Sequence, residues 1–307
     1  MPQNDSPDRG YSRRRFLALA GLLPAAGALM PSLLRAAEGA AATPRLGPSK
    51  IPLGIELYAV RHELTKDLNG TLKQVADIGY KVVEFYAPYF QWTAAKAREV
   101  RQTLDGLGLR CLSTHNHMEA FRGDGLAKAI ELSGILGVRQ VVLASPPYSI
   151  GTADEVKAMC EELTVASAAF QRHGLSAGYH NHGPEWKVLA GGQRGMDIIA
   201  ANTPKEFVLQ LDIGTCLAAG ADPVPWIKSH PGRIRSIHLK DWTAKASTVE
   251  EGYKVLFGEG DARWAEICAA AETVGGVEIY LMEQEGSRFS EMETAKRCFE
   301  SWQKLRA

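Results

Sequence analysis

The sequence predicts a single α/β domain that closes into a (β/α)8 TIM barrel over residues 50–307. From residue 50 onward, short runs rich in β-branched residues alternate with longer amphipathic runs. The starts of the short runs recur every 27 to 36 residues, apart from a longer final gap, and this interval is typical of one βα unit. Eight such units fit a closed barrel of about 250 residues.

Each predicted strand is a short hydrophobic run, and each predicted helix is an amphipathic one. The strands are Pro52–Tyr58, Lys81–Tyr86, Leu109–His115, Arg139–Ala144, Leu175–Asn181, Phe207–Ile213, Ile234–Leu239 and Val277–Glu283. Helical patterns between them include Leu68–Ile78, Ala94–Leu107, Leu126–Leu136, Ala153–His173 and Trp264–Val274. Several helices end at a glycine, the usual C-terminal stop signal, namely Gly79, Gly108, Gly137 and Gly174.

An open, doubly wound sheet is the alternative to a closed barrel. That fold usually carries a glycine-rich phosphate loop between its first strand and helix. Gly258-Glu259-Gly260 lacks the third glycine and the following helix. We therefore interpret it as part of the loop between the seventh and eighth strands and favour the barrel.

The composition of the chain excludes several classes of protein. The 307 residues include 45% hydrophobic and 23% charged residues, which is incompatible with general disorder. Lys and Arg number 35, as do Asp and Glu, and this neutrality argues against a nucleic-acid partner. No apolar stretch beyond the N-terminus is long enough for a membrane span. The five scattered cysteines lack metal-site or redox spacing.

Residues 1–42 have the order of an export signal. A polar start leads to Arg13 and Arg14 before Phe16-Leu17, followed by an uncharged stretch and then small residues. The paired arginines resemble those of a twin-arginine (Tat) signal, so we expect a folded protein exported to the periplasm and cleaved near residue 42. A single N-terminal anchor helix is the alternative, although glycines and prolines interrupt the stretch.

Metal-binding residue types are concentrated at the predicted strand ends, where the reacting groups of such barrels lie. His180, Asp212, His238 and Glu283 end four successive strands. Taken singly, each has a plainer interpretation, as a helix cap, a polar core residue or a solvated carboxylate. Buried together at one rim without a cation, the carboxylates would repel each other and carry large desolvation costs. We therefore expect one divalent metal ion.

This arrangement resembles the xylose isomerase-like TIM barrels, often described as sugar phosphate isomerases/epimerases. The resemblance covers about residues 50–290 and is most specific at Tyr179-His180-Asn181-His182, Leu211-Asp212-Ile213-Gly214, His238-Leu239-Lys240-Asp241 and Met282-Glu283-Gln284-Glu285. It implies one divalent ion, manganese in the first instance and otherwise cobalt, zinc or magnesium. The implied ligands are His180, Asp212, His238 and Glu283, with His180 or Glu185 completing the set.

The shared chemistry of the family is removal of a proton next to a carbonyl, through a metal-stabilised enediolate. Glu283 is the first candidate for the proton carrier, and Glu185 or His182 for the second acid/base. Lys240 would either stabilise the oxyanion or pair with Asp241 as scaffold.

Three further residues are candidates for binding the substrate. His117 and Glu84 could bind sugar hydroxyls, and Trp186 could stack on a sugar face. Each has a plainer alternative, as a polar core residue for the first two and as a packing residue for Trp186.

One position differs from the pattern that the resemblance implies, because the family's epimerases have a glutamate on the fifth strand. This chain has His180 there, and its Tyr-His-Asn-His segment is instead similar to inosose dehydratases and to enzymes that act on 3-keto-glycosides. From the family as a whole we predict an exported sugar isomerase/epimerase. Elimination or hydrolysis of a 3-keto-glycoside or keto-polyol is the alternative.

Two other classes remain possible from the sequence. A non-catalytic periplasmic sugar-binding protein would have two lobes and no cluster of metal ligands. An AP-endonuclease-like repair enzyme would need a basic groove. We expect a small carbohydrate as partner, no nucleic acid, no membrane span after signal removal and, as an open alternative, an oligomer.

Overall fold

A computed structural model describes residues 46–148 and 150–307. Eight parallel strands form a closed barrel in the order β1 to β8, each hydrogen-bonded to its sequence neighbours and β8 to β1. This confirms the predicted (β/α)8 fold. The strands are β1 Leu53–Glu56, β2 Val82–Phe85, β3 Arg110–Asn116, β4 Gln140–Leu143, β5 Ser176–His180, β6 Val208–Asp212, β7 Ser236–Leu239 and β8 Ile279–Met282.

Helices surround the barrel and alternate with its strands. They are α1 Arg61–Lys66, α2 Leu68–Ile78, α3 Ala94–Leu107, α4 Gly123–Leu136, α5 Ala153–Gln171, α6 Gly195–Asn202, α7 Ile213–Ala218, α8 Pro223–Ser229, α9 Val249–Gly252, α10 Trp264–Ala270 and α11 Glu291–Arg306. The start of α5 is fixed by Thr152 and Glu155, which cap each other's backbone N–H groups.

The predicted helix ends agree with the structure at Gly79, Gly108 and Gly137, which directly follow α2, α3 and α4, and differ at two helices. All three glycines have positive φ angles, which L-residues adopt only with strain. The helix predicted as Ala153–His173, before Gly174, ends at Gln171. The predicted helix Trp264–Val274 instead stops at Ala270, and Ala271–Gly275 form a π-helical turn.

A second departure from regular geometry lies in β3 and affects the site directly. Val83 pairs with Cys111 but Glu84 pairs with Ser113, so Leu112 is an extra residue in the strand. Because successive side chains point to opposite faces of a strand, this bulge places Ser113 and His115 on the same face as Glu84. That face is the interior of the barrel.

The barrel interior is apolar at one end and polar at the other. Val82, Leu112, Ile279 and Leu281 form a small buried cluster inside the barrel, while the much larger core lies between the sheet and the helices. The buried polar residues follow at the carboxyl ends of the strands, where catalytic groups of such barrels are placed.

The predicted export signal, residues 1–42, lies outside the described residues. Within residues 46–148 and 150–307, the longest helices are too short or too polar to cross a membrane.

Candidate active site

Four potential metal ligands meet at the carboxyl end of the barrel. His180, Asp212, His238 and Glu283 each offer an atom, and these atoms all lie within 4.8 Å of one another. His180 ends β5 and Asp212 ends β6. His238 lies in β7, and Glu283 follows β8 directly. All four side chains are buried. The structure thus brings together the whole ligand set that the sequence predicts.

His238 lies between two carboxylates that fix the orientation of its ring. Its Nδ1 is 2.7 Å from Glu283 Oε2, and its Nε2 is 3.3 Å from Glu84 Oε2. Burial alone would lower the pKa of His238, but these two glutamates raise it well above the usual value. Glu84 therefore orients the imidazole from behind, as carboxylates commonly do for metal-binding histidines.

Gln210 orients the second histidine, His180. Its side-chain Oε1 lies 3.1 Å from His180 Nδ1, and its Nε2 donates to Glu84 Oε2 at 2.9 Å. This arrangement leaves His180 Nε2 directed toward Asp212, with 3.9 Å to Oδ2. Burial, together with His238 and His115, lowers the pKa of His180 well below its usual value, which favours the neutral imidazole that binds metals.

Asp212 supplies the clearest indication that a cation belongs in the cluster. Its Oδ1 accepts a hydrogen bond from the Thr215 N–H at 2.8 Å, while its Oδ2 is buried without a hydrogen-bond partner among the described residues. Burial raises the pKa of Asp212 to about 7, with Lys240 opposing and Glu283 adding to the shift. Buried carboxylate oxygens are rarely left unpartnered. A divalent ion held by two imidazoles and two carboxylates fits this oxygen and the donor set.

Lys240 places a positive charge beside the four ligands. Its Nζ is hydrogen-bonded to Glu285 and lies 3.8 Å from Asp212 Oδ2. Burial lowers the pKa of Lys240, but Glu283, Asp212 and Glu285 outweigh burial and raise it. The ammonium group is therefore charged at any physiological pH.

Asp241, the other predicted partner of Lys240, belongs to the loop that follows β7. Its carboxylate accepts hydrogen bonds from the N–H groups of Gly258 and Gly260 and from the Trp264 indole. At Gly260 a Cβ atom would lie 2.1 Å from Asp241 Oδ1, so only glycine fits. The alternative of a Lys240–Asp241 pair is therefore replaced by a Lys240–Glu285 pair, and Gly258-Glu259-Gly260 lies in the predicted loop.

The two candidates for a second acid/base differ in how much of each side chain is free. Glu185 is buried, and its carboxylate accepts from the Tyr179 hydroxyl at 2.7 Å and from the His182 N–H at 3.0 Å. His182 is half-buried, and its ring centroid lies 4.9 Å from that of His180. The geometry favours His182 as the acid/base and gives Glu185 the task of holding the loop after β5.

The three predicted substrate-binding residues are placed differently from one another. Glu84 is buried and bonded to protein groups, with His115, His238 and Gln210 around it. Burial would raise the pKa of Glu84, but the two histidines lower it. His117 is exposed at the rim beyond β3. Trp186 is buried and packs edge-on against Trp226, which agrees with the packing alternative.

Three inward-facing residues of the cluster escaped the sequence prediction: His115, Gln210 and Glu56. His115 Nε2 lies 2.6 Å from Gln210 Oε1, and its ring stacks on that of His238 at 4.9 Å. Glu56 ends β1 and pairs with Glu84. Burial, then Glu283 and Glu84, raise the pKa of Glu56 well above its usual value. The available signal for His115 was its position at the end of the predicted third strand, two residues before His117.

Comparison with known proteins shows which family the chain matches. The family model described as "Xylose isomerase-like TIM barrel" matches residues 72–304. No curated protein matches the chain at a significant level.

Similar solved structures share the fold at low sequence identity. A sugar phosphate isomerase/epimerase from Parabacteroides distasonis is 22% identical with a TM-score of 0.70, covering 83% of this chain and 94% of that one. The IolI protein with a binding zinc atom is 16% identical, with a TM-score of 0.63 and coverage of 83% and 98%. The probable 3-DHS dehydratase AsbF from Bacillus anthracis is 13% identical, with a TM-score of 0.62 and coverage of 82% and 99%.

The family match spans most of the chain, and the closed eight-stranded barrel carries its polar cluster where this fold places reacting groups. The chain belongs to the xylose isomerase-like TIM barrel family.

Proposed function

We propose that this protein is a divalent-metal-dependent sugar isomerase or epimerase that removes a proton next to a carbonyl. The observation that carries the proposal is the convergence of His180, Asp212, His238 and Glu283 within 4.8 Å, with Asp212 Oδ2 buried and unpartnered among the described residues. The solved relatives support it, since one is named a sugar phosphate isomerase/epimerase and another has a binding zinc atom.

Those four side chains would hold the ion. When bound, a divalent metal supplies Lewis acidity that polarises a substrate carbonyl and makes the neighbouring C–H more acidic. Manganese is the ion we expect, with cobalt, zinc and magnesium as alternatives, because imidazole and carboxylate donors accept all of them. Gln210 and Glu84 already orient the rings of His180 and His238, respectively, for binding the ion.

The substrate is an unphosphorylated sugar. Glu84 and Glu283 are buried carboxylates at one end of the barrel whose pKa values lie below the usual range, so a phosphate dianion placed beside them would be repelled. The lysine that reaches them, Lys240, is already hydrogen-bonded to Glu285. A neutral sugar, whose hydroxyls donate to carboxylates, suits this surface better.

Glu283 takes the substrate proton in this account. Lys240 and His238 hold the pKa of Glu283 well below its usual range despite burial, so the carboxylate is ionised and able to accept. His182, half-buried beside His180, serves as the second acid/base. Lys240 Nζ then balances the negative charge that develops on the substrate oxygen.

Elimination from a 3-keto-glycoside or keto-polyol is the second candidate, and His180 is the observation that favours it. His180 Nε2 faces Asp212 and its Nδ1 faces Gln210 Oε1 at 3.1 Å, so a His180 that held the metal would have no ring nitrogen left to move a proton. Epimerisation needs two proton carriers on opposite faces of a carbon, whereas elimination needs one base and one acid for the leaving oxygen. The structural relative named as a probable dehydratase supports this alternative.

Turnover in deuterated water distinguishes the two reactions. Mn²⁺-loaded protein is incubated with free ketoses, phosphorylated ketoses and 3-keto-glycosides, and the products are followed by NMR. The proposal expects an epimer or isomer of an unphosphorylated sugar with deuterium at one carbon, lost in Glu283→Gln and retained in Glu119→Gln, a change at an exposed rim glutamate. An unsaturated or ring-opened product supports elimination instead. Turnover that is equal with and without metal refutes both.

The location of the enzyme is also a proposal. The Arg13-Arg14 pair and the apolar stretch after it support export through the twin-arginine route to the periplasm. Folding before export would let the chain bind manganese in the cytoplasm. It would thereby avoid the competition outside the cell, where zinc and copper bind such sites more tightly than manganese does.

A further inference from the structure

Three adjacent strands present a glutamate at the same height of the barrel. Glu56 pairs with Glu84 of β2, and the preceding residue, Ile55, pairs with Met282 of β8. Because the strands run parallel, Glu56 lies between Glu84 on one side and Glu283 on the other. Glu84 and Glu283 are both engaged by His238, at 3.3 and 2.7 Å, and the proposed function gives each of them a task.

Glu56 is held differently from its two neighbours. Its Oε2 accepts a hydrogen bond from the Tyr58 N–H at 2.6 Å, which fixes the side chain at the end of β1. Its Oε1 is buried and has no hydrogen-bond partner among the described residues. A buried, unpartnered oxygen beside two further carboxylates lowers the stability of the fold. Such a cost is typical of residues kept for binding or catalysis.

We propose that Glu56 Oε1 forms a hydrogen bond with a substrate hydroxyl beyond those at the reacting carbons, and so selects an unphosphorylated polyhydroxy substrate. This inference rests on the proposed function and names the part of the site that recognises the rest of the sugar. The Tyr58 hydrogen bond pre-orients the carboxyl, so little side-chain entropy is lost on binding. The Tyr58 ring itself is 38% exposed and lies edge-on to Tyr86 at 5.3 Å, which leaves it accessible beside the same strand end.

The substitution Glu56→Gln separates recognition from folding. The amide oxygen can still accept from the Tyr58 N–H, while the amide nitrogen replaces Oε1 and donates toward Glu84 or Glu283. The variant should therefore fold and melt within about 4 °C of the wild type, because the amide keeps the Tyr58 hydrogen bond and fills the same volume. Glu56→Leu provides a second variant with no hydrogen-bonding group, and Glu119→Gln is the matched exposed control.

Two measurements test the inference. For the sugar turned over by the Mn²⁺-loaded wild type, Glu56→Gln should raise KM about 10- to 100-fold and leave kcat within about threefold. The reason is that the lost hydroxyl contact is made equally in the ground state and in the transition state. Binding of xylitol, which has hydroxyls but no carbonyl to react, is measured by calorimetry. Its dissociation constant should rise about tenfold or more in both Glu56 variants and stay unchanged in Glu119→Gln.

The outcomes separate this inference from the proposed function. Unchanged KM and unchanged xylitol binding in Glu56→Gln overturn the inference while the enzyme's activity stands. Glu56-dependent xylitol binding without turnover of any sugar supports the inference and refutes the proposed function. Loss of bound manganese in Glu56→Gln would show that the residue acts on the metal and overturns the inference. A wild type that neither binds xylitol nor turns over a sugar overturns both.

Discussion

The replacement Asp212→Asn should change stability and metal binding in opposite directions. In the metal-free protein, Asp212 carries a buried oxygen without a hydrogen-bond partner among the described residues, and its pKa is raised from 3.8 to about 7. At about 1.36 kcal/mol per pKa unit, this difference corresponds to roughly 4 kcal/mol of destabilisation once the carboxyl is ionised. Asparagine keeps an acceptor for the Thr215 N–H and removes the charge, but it also deprives Lys240 of a neighbour. We expect a net gain of about 1 to 4 kcal/mol.

The sign follows from proton linkage. The folded state binds a proton on Asp212 more tightly than the unfolded chain does, so the contribution of Asp212 to the stability of the metal-free wild type falls as the pH rises from about 4 to about 7. The advantage of Asp212→Asn should therefore be absent near pH 4 and complete above pH 7.

Urea unfolding of EDTA-treated protein, at several pH values, measures this difference directly. Adding excess Mn²⁺ should then stabilise the wild type by about 3 to 4 kcal/mol at about 100 to 1,000 times its dissociation constant, and leave Asp212→Asn unchanged. Asp124→Asn, an exposed change at the start of α4, serves as the control. If Asp212→Asn is less stable than the metal-free wild type at pH 8, or still gains stability from Mn²⁺, the reasoning about this carboxylate is refuted.

Three further predictions concern groups around the ligands and the N-terminus. Glu84→Gln should weaken Mn²⁺ binding about 10- to 100-fold in a calorimetric titration, because the group orienting His238 has lost its charge; an unchanged affinity would contradict that role. Lys240→Met should lower kcat about 100-fold or more with little change in KM in steady-state assays, whereas an effect on KM alone would indicate simple binding. Replacing Arg13 and Arg14 by lysine should retain the protein in the cytoplasm on cell fractionation, and export without the twin-arginine machinery would refute the export proposal.

The fold was predictable from the sequence because parallel strands buried on both faces produce hydrophobic runs that repeat at a fixed interval. Every predicted strand is present, and seven of the eight are shortened at one or both ends; β1, for example, is Leu53–Glu56 within the predicted Pro52–Tyr58. The third strand keeps its length and is shifted by one residue, to Arg110–Asn116. The shortening has a physical cause, since Glu56 caps a helical turn at Leu57–Val60 that the hydrophobic pattern alone cannot separate from the strand. The π-helical turn after α10 was equally hidden, because its residues have ordinary helix propensities.

The site was predictable where strand ends follow the regular alternation of side chains. The four candidate metal ligands were predicted for this reason, because each lies at or near the end of a strand. His115 was placed at the end of the third strand but was given no role, because the bulge at Leu112 changes which residues of β3 face inward, and a one-residue shift leaves no mark in composition. Residue type alone did not indicate a functional role for Gln210 and Glu56, since a glutamine in a strand or a single glutamate usually has a structural role. Their significance lies in contacts across the barrel.

Metal content tests the central claim most directly. Mature protein purified without chelators, and the same protein reloaded separately with manganese, cobalt and zinc, is analysed for bound metal per chain. The account predicts about one divalent ion in the wild type and in Glu119→Gln, and its loss in His238→Ala and Asp212→Ala, with each variant shown to be folded by circular dichroism. A folded wild type that carries no metal and takes up none of the three ions would contradict it.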